Sequence, residues 1–220
     1  MLSRIALTAV LFLASAAAQA LCTSDEVPQS AAVLERFLNA DCLECWRDPA
    51  TPKAERDTLV LDWVIPGRNG PAAPLSPVAL DEALDRLYAH RRPVPARSDA
   101  VASRREGDGV PLRLAQGQAF NDYVGASMEI KEPGREPWAA WLLLVESLPA
   151  GTEGSPVARN LVRNVFRPDW GNVMKRKPGR LAETRSMQIH EGAQAERLRL
   201  VAVLHDSRGR IRAITRTECP

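Results

Sequence analysis

Val33-Leu34-Glu35-Arg36-Phe37-Leu38-Asn39-Ala40-Asp41-Cys42-Leu43-Glu44-Cys45 is the stretch on which the reading of the fold turns. Val33–Leu38 is short and apolar-leaning, which predicts a first strand that delivers Cys42 at its carboxyl end. Two thiols at this spacing can pair with each other, and the second can resolve a mixed disulfide formed by the first. In that scheme Cys42 is the attacking nucleophile and Cys45 the resolving thiol. A structural disulfide and a soft-metal pair remain as other uses of the same residues. Asp41 and Glu44 put two negative charges beside the sulfurs, which disfavours a thiolate. Pro49 and Pro52 forbid a long uninterrupted helix after the motif, so little helix dipole reaches it.

Toward the amino terminus, residues 1–20 read as a signal peptide. Arg4 supplies the positive region, Ile5–Ala14 the apolar run, and Ala18-Gln19-Ala20 the small-x-small cleavage site. The apolar run is too short to span a bilayer. Leu21 and Gln19 stand where lipid attachment at Cys22 would want a small and a branched apolar residue. The mature chain is therefore expected to start at Leu21 in an oxidising place, periplasmic or secreted. Four cysteines allow three pairings. If Cys42 pairs with Cys45, Cys22 and Cys219 remain, one near each mature end. A bond between them would tie the ends together and stabilise by about 5 kcal/mol on the chain-entropy model.

The sequence has 29 Lys and Arg against 27 Asp and Glu; without Arg4 the balance is 28 to 27. Such near-neutrality makes no electrostatic case for nucleic acid. No later stretch is long enough to span a membrane; Trp138–Val145, the most apolar, is strand-length.

Working outward along the chain, Thr51-Pro52 predicts an N-cap and a short helix to Asp57. Leu59–Ile65 predicts a buried strand, and Ser76-Pro77 opens the clearest helix. On that helix Leu80, Leu84, Leu87 and Tyr88 share one face, with Asp81, Glu82, Asp85 and Arg86 mainly opposite. Residues 93–109 are polar and read as a linker, with a helix possible over Ala96–Glu106. From Val110 the pattern changes to strands and turns. Val110–Ala115 and Val124–Lys131 pair as a hairpin, Trp138–Glu146 is a central strand, and Leu161–Arg167 is another. Leu198–His205 and Arg210–Arg216 are joined by the turn Asp206-Ser207-Arg208-Gly209. The expected organisation is an α/β unit over 21–92, the linker, and an antiparallel β module over 110–220 resembling a small sandwich.

The order of these motifs resembles a family of secreted bacterial proteins of unknown function, with a thioredoxin-like C-x-x-C domain followed by a β-rich domain. The resemblance runs through Val33–Asn39, Cys42 and Cys45, Leu59–Val64, Leu75-Ser76-Pro77 to Tyr88, and Trp141–Val145. It continues through Gly154, Arg159, Leu161, Asn164–Arg167 and Trp170, and closes at Gly209–Ile214. It implies a thioredoxin-like fold over 21–92, shortened, and exchange with a protein dithiol or disulfide partner at Cys42 and Cys45. Trp46 stands where the family has a proline. The family's Tyr-Thr-Pro-Gln segment, whose proline faces the dithiol, has no counterpart; Tyr88 to Val110 offers only Pro93 and Pro95.

Other residues carry weaker signals. Trp46, next to the dithiol, could shield it or meet a partner. Trp63, Trp138 and Trp141 read as core. His90, His190 and His205, with Met128, Met174 or Met187, could complete a copper site, but none has close ligand spacing to another and no zinc pattern exists. Lys175–Arg180 reads as a solvated basic loop, and Asn164 with Arg167 as a polar site or strand-edge pair. There is no serine nucleophile elbow, phosphate-cradling glycine loop or carboxylate pair, and neither metal nor cofactor is expected. Two readings stand: an exported thioredoxin-like thiol–disulfide protein, or a non-catalytic envelope protein stapled by Cys42–Cys45 and Cys22–Cys219.

Overall fold

β2 (Ala32–Asn39) is buried at all eight positions and pairs on both edges. It runs parallel to β3 (Thr58–Ile65), with Ala32 opposite Thr58 and Asn39 opposite Ile65, and antiparallel to β4 (Ser98–Arg104). A strand covered on both faces needs no apolar–polar alternation. That is why Val-Leu-Glu-Arg-Phe-Leu can be a strand at all: Glu35 is buried on one face and Arg36 on the other. The computed structural model describes residues 22–134, 137–170 and 180–220. The leader expected over residues 1–20 lies outside these, as do Met174 and the basic run up to residue 179.

The remaining elements are β1 (Cys22–Thr23), α1 (Leu43–Trp46), α2 (Asp81–Ala89), β5 (Leu112–Phe120), β6 (Tyr123–Ile130), β7 (Ala139–Leu148), β8 (Arg159–Phe166), β9 (Leu181–Gln188), β10 (Leu198–His205) and β11 (Ile211–Arg216). They form a four-stranded sheet, β1-β5-β6-β9, and a seven-stranded sheet, β11-β10-β7-β8-β3-β2-β4. The large sheet curls until its ends meet. Backbone amides of Glu106 and Val110, just beyond β4, donate to carbonyls of Ile211 and Arg212 on β11, and Ser30 donates to Ile214.

Alternation along β7 and β10 sorts their side chains to two cores. Leu142, Leu144, Leu200 and Leu204 pack against Leu114, Val124, Met128 and Ile130 of the small sheet. Trp141, Leu143, Val201 and Val203 face the inside of the curl, with Phe37, Leu61, Trp63 and Ile214, and Ala83 and Leu87 of α2 join them. A third cluster behind β2 and β3 holds Leu38, Val64, Leu161 and both sulfurs of the C-x-x-C.

The expected thioredoxin-like domain followed by a small sandwich is overturned. The chain is mostly β, with two α-helices of four and nine residues among the described ones. An α/β unit buries its sheet under helices on both faces. Here α1 ends after one turn, ahead of Pro49 and Pro52, and strands supply the cover instead. Residues 93–109 contain β4, and strands from both sides of that segment belong to one sheet.

Smaller differences have local causes. Thr51–Asp57 forms no helix: Thr51 Oγ1 donates back to the Asp48 carbonyl, and the Pro52 carbonyl accepts from buried Arg36. Ser76-Pro77 opens only a 3₁₀ turn (Ser76–Val78), because Leu80 is extended and its N–H donates to the Val64 carbonyl; α2 starts at Asp81. No strand was expected at β9, where inward positions with large apolar side chains are few: Leu181 and Met187 are its buried residues.

Candidate functional site

The cysteine pair behind β2 and a buried polar group inside the curled sheet both bring chemistry-bearing side chains together. β2 supplies both, since Glu35 and Arg36 leave it on opposite faces and Cys42 follows its end.

Cys42 and Cys45 are joined in a disulfide, as are Cys22 and Cys219. Cys42 is 5 % exposed and Cys45 6 %, among Leu38, Ala40, Val64, Leu75, Leu148 and Leu161. Cys42 is the N-cap of a four-residue helix, too short to offer a useful dipole. Asp41 turns away from the sulfurs. Its carboxylate accepts the amides of Arg68 and Asn69, and it sits so close to Gly67 that a Cβ there would strike it. The Glu44 carboxylate stays 4.0 Å from Cys42 Sγ. Behind the pair, Asp62 joins Arg36 and Arg159, all three buried, and Arg159 donates on to the carbonyls of Cys45 and Trp46. The cations near the dithiol are thus spent on Asp62 and on backbone oxygens rather than on sulfur. Trp46 is buried in the same cluster, its ring 4.5 Å from the Arg159 guanidinium and its Nε1 donating to the Glu153 carbonyl.

Inside the curl, Glu35 is fully buried among apolar and aromatic side chains yet completely satisfied. It accepts Arg86 Nε and a terminal nitrogen, both at 2.7 Å, Trp63 Nε1 at 3.0 Å, and His90 Nε2 at 2.7 Å. Burial opposes ionisation of Glu35, but Arg86 and His90 overcome it and hold the carboxyl down at about 2. A carboxylate can only accept, so His90 Nε2 carries the proton it donates. α2 delivers Arg86 and, at its C-cap, His90; Phe37 packs against the imidazole edge-on. Removing one member of such a buried set is severe, because it strands an unpaired charge.

Above this group lies a cleft of about 850 Å³, between α2, the end of β4 and the β10–β11 turn. Arg86, His90, Trp141, Arg167, His205 and Arg210 are among its walls. The Arg86 and Arg167 guanidiniums stand 5.1 and 4.4 Å from the Trp141 ring. Burial, then Arg86, drive His205 down to about 4, although Glu35 pulls the other way.

The sequence singled out His90 and His205, and the structure brings them to one cleft. His190 is exposed on the loop after β9, and Met128 and Met187 are core residues. Among the described residues no three His, Cys, Asp or Glu gather as metal ligands. Asn164 and Arg167 part company: Asn164 donates to the Gln188 carbonyl, and Arg167 lies on Trp141. Glu35 and Arg86 were missed. The available signal was two opposite charges, one in an apolar strand and one among leucines of a helix. No family model, curated protein or solved structure matches the chain.

Proposed function

We propose that the chain is a non-catalytic, disulfide-stapled binding protein of an oxidising compartment outside the cytoplasm, with the cleft beside α2 as its binding site. The observation that carries this reading is the state of Cys42–Cys45. Both cysteines are buried in an apolar cluster, and the neighbouring arginines Arg36 and Arg159 are committed to Asp62 and to carbonyls. An exchanging dithiol needs an accessible sulfur and a stabilised thiolate, and neither is built here. The buried Glu35 group supports the other half of the reading: a fully satisfied polar network inside a core fixes Arg86 and His90 at the wall of a cleft.

The kinship suggested by the collinear motifs belongs to this proposal too, without a thioredoxin-like domain. The test is thiol trapping and mass spectrometry of the purified protein across a dithiothreitol redox series. The pair is expected to stay oxidised below about −300 mV, as structural disulfides do. A midpoint within roughly −270 to −180 mV, the range of exchanging dithiols, would establish Cys42 and Cys45 as a redox couple and sink the binding-protein reading.

A further inference from the structure

We propose that β9 is a self-association strand. Its outer edge pairs antiparallel with β9 of a second copy, about a two-fold axis through Thr184, and joins the two small sheets into one. Neither the cleft nor the cysteines take part.

The state of the edge is the first argument. β9 is the last strand of the small sheet, eight residues long, and its register against β6 runs unbroken from Leu181 to Gln188. The Ile189 N–H donates to the Asp122 carbonyl in step with that ladder. Odd-numbered residues of β9 therefore bond to β6, and even-numbered ones turn their N–H and C=O groups away from it. The Gln188 carbonyl, in the outward row, accepts Asn164 Nδ2. Ala182, Thr184 and Ser186 are exposed, and their outward backbone groups have no partner among the described residues.

The other sheet margins are closed. β1, at the far end of the small sheet, is two residues long and bridged to Glu218 through Thr23. The large sheet meets itself where Glu106 and Val110 donate to Ile211 and Arg212. An edge left open is ordinarily blunted by shortness, proline, a bulge or charge. β9 has no proline or bulge, and its inward-row charges are one acid, Glu183, and one base, Arg185.

The order of residues is the second argument, because Leu181-Ala182-Glu183-Thr184-Arg185-Ser186-Met187 complements itself when reversed. With Thr184 opposite Thr184, Ala182 meets Ser186 in the outward-bonding row. Glu183 then meets Arg185, and Leu181 meets Met187, each pair occurring twice by symmetry. Glu183 and Arg185 fall in the non-hydrogen-bonded pairs, where facing side chains come closest. Neither has an ion-pair partner among the described residues, and the Arg185 guanidinium lies over the Phe166 ring, a contact that leaves its N–H groups free. Sliding the pairing by two residues would set Glu183 against Glu183 or Arg185 against Arg185, so charge selects the one register. These are the observations that favour a second copy over an unrelated extended peptide.

Sedimentation velocity of the purified protein from about 1 to 500 μM tests this. A reversible dimer is expected, with a dissociation constant on the order of 10 μM, since edge pairing alone is smaller than a standard interface. Glu183→Lys places like charges opposite each other at both pairs and should weaken the dimer about tenfold or more. Glu183→Arg combined with Arg185→Glu should restore it. Thr184→Pro removes an N–H that β6 does not use, so it should abolish the dimer while circular dichroism still reports the folded monomer. Hydrogen exchange at the amides of Ala182, Thr184 and Ser186 should slow as concentration rises. A monomer at every concentration overturns the proposal, and so does a dimer indifferent to Glu183→Lys and Thr184→Pro. Edge amides protected equally at all concentrations would place another segment of the same chain on β9, which overturns it too.

Discussion

His205 and Glu35 are both held far from their ordinary titration ranges, His205 mainly by burial and Glu35 by Arg86 and His90 acting against its burial. Burial acts most strongly on His205, followed by Arg86, Glu35, His90 and the Ala139 carbonyl, and the folded imidazole takes a proton only near pH 4. In the unfolded chain it takes one near 6.5. Between those values the unfolded state binds more protons, so acidification destabilises the fold, by up to about 3 kcal/mol. Glu35 and Asp206, both held at about 2, work in a lower window. Their ion pairs contribute fully above the ordinary carboxylate range and fade as the pH falls toward 2. Urea unfolding from neutral pH downward should show two successive losses, and His205→Gln should flatten the upper one alone. A wild-type unfolding free energy that stays level from pH 6.5 to 4 would refute the buried neutral imidazole.

At the scale of elements, α2 offers a sharper test because its sequence and its structure disagree about one face. The spacing groups Leu80, Leu84, Leu87 and Tyr88 together, yet Tyr88 is 60 % exposed while Ala83, Arg86 and Leu87 are buried. Leu87→Ala should cost about 2–5 kcal/mol by emptying a core site, and Tyr88→Ala less than about 0.5 kcal/mol as a surface change. Equal losses on chemical denaturation would mean that the helix is rotated from the orientation described. The helix turns toward Arg86 because Glu35, fifty-one residues away in sequence, needs it. Periodicity along one segment carries no trace of such a partner. Strands were readable where burial is strong: β3, β7, β10 and β11 follow apolar runs closely, and Gly209 supplies the positive φ that their hairpin turn requires. β9 and β4 were not, since pairing holds them more than apolar side chains do. For the candidate site, the two imidazoles were visible as residues. Their meeting in one cleft depends on the curl of the sheet, which no local pattern records.

The whole molecule is closed by two covalent ties of very different reach. Cys22–Cys219 joins residues 197 apart in sequence, and Cys42–Cys45 joins residues three apart. If a disulfide acts mainly by restricting the unfolded chain, the long closure should stabilise by about 5 kcal/mol and the short one by about 2 kcal/mol. The native structure makes the long tie easy to hold. Cys22 lies in β1 opposite Gln116, and Thr23 exchanges backbone hydrogen bonds with Glu218, so both ends are already docked on the small sheet. Cys22→Ala with Cys219→Ala should therefore lower the guanidinium unfolding free energy by more than Cys42→Ala with Cys45→Ala does, even though the second pair lies within an apolar cluster. The opposite order would place the weight of Cys42–Cys45 in native packing rather than chain entropy. It would also mean that the sulfurs packed with Leu38, Val64 and Leu161 support the curled sheet directly, from the face opposite Glu35.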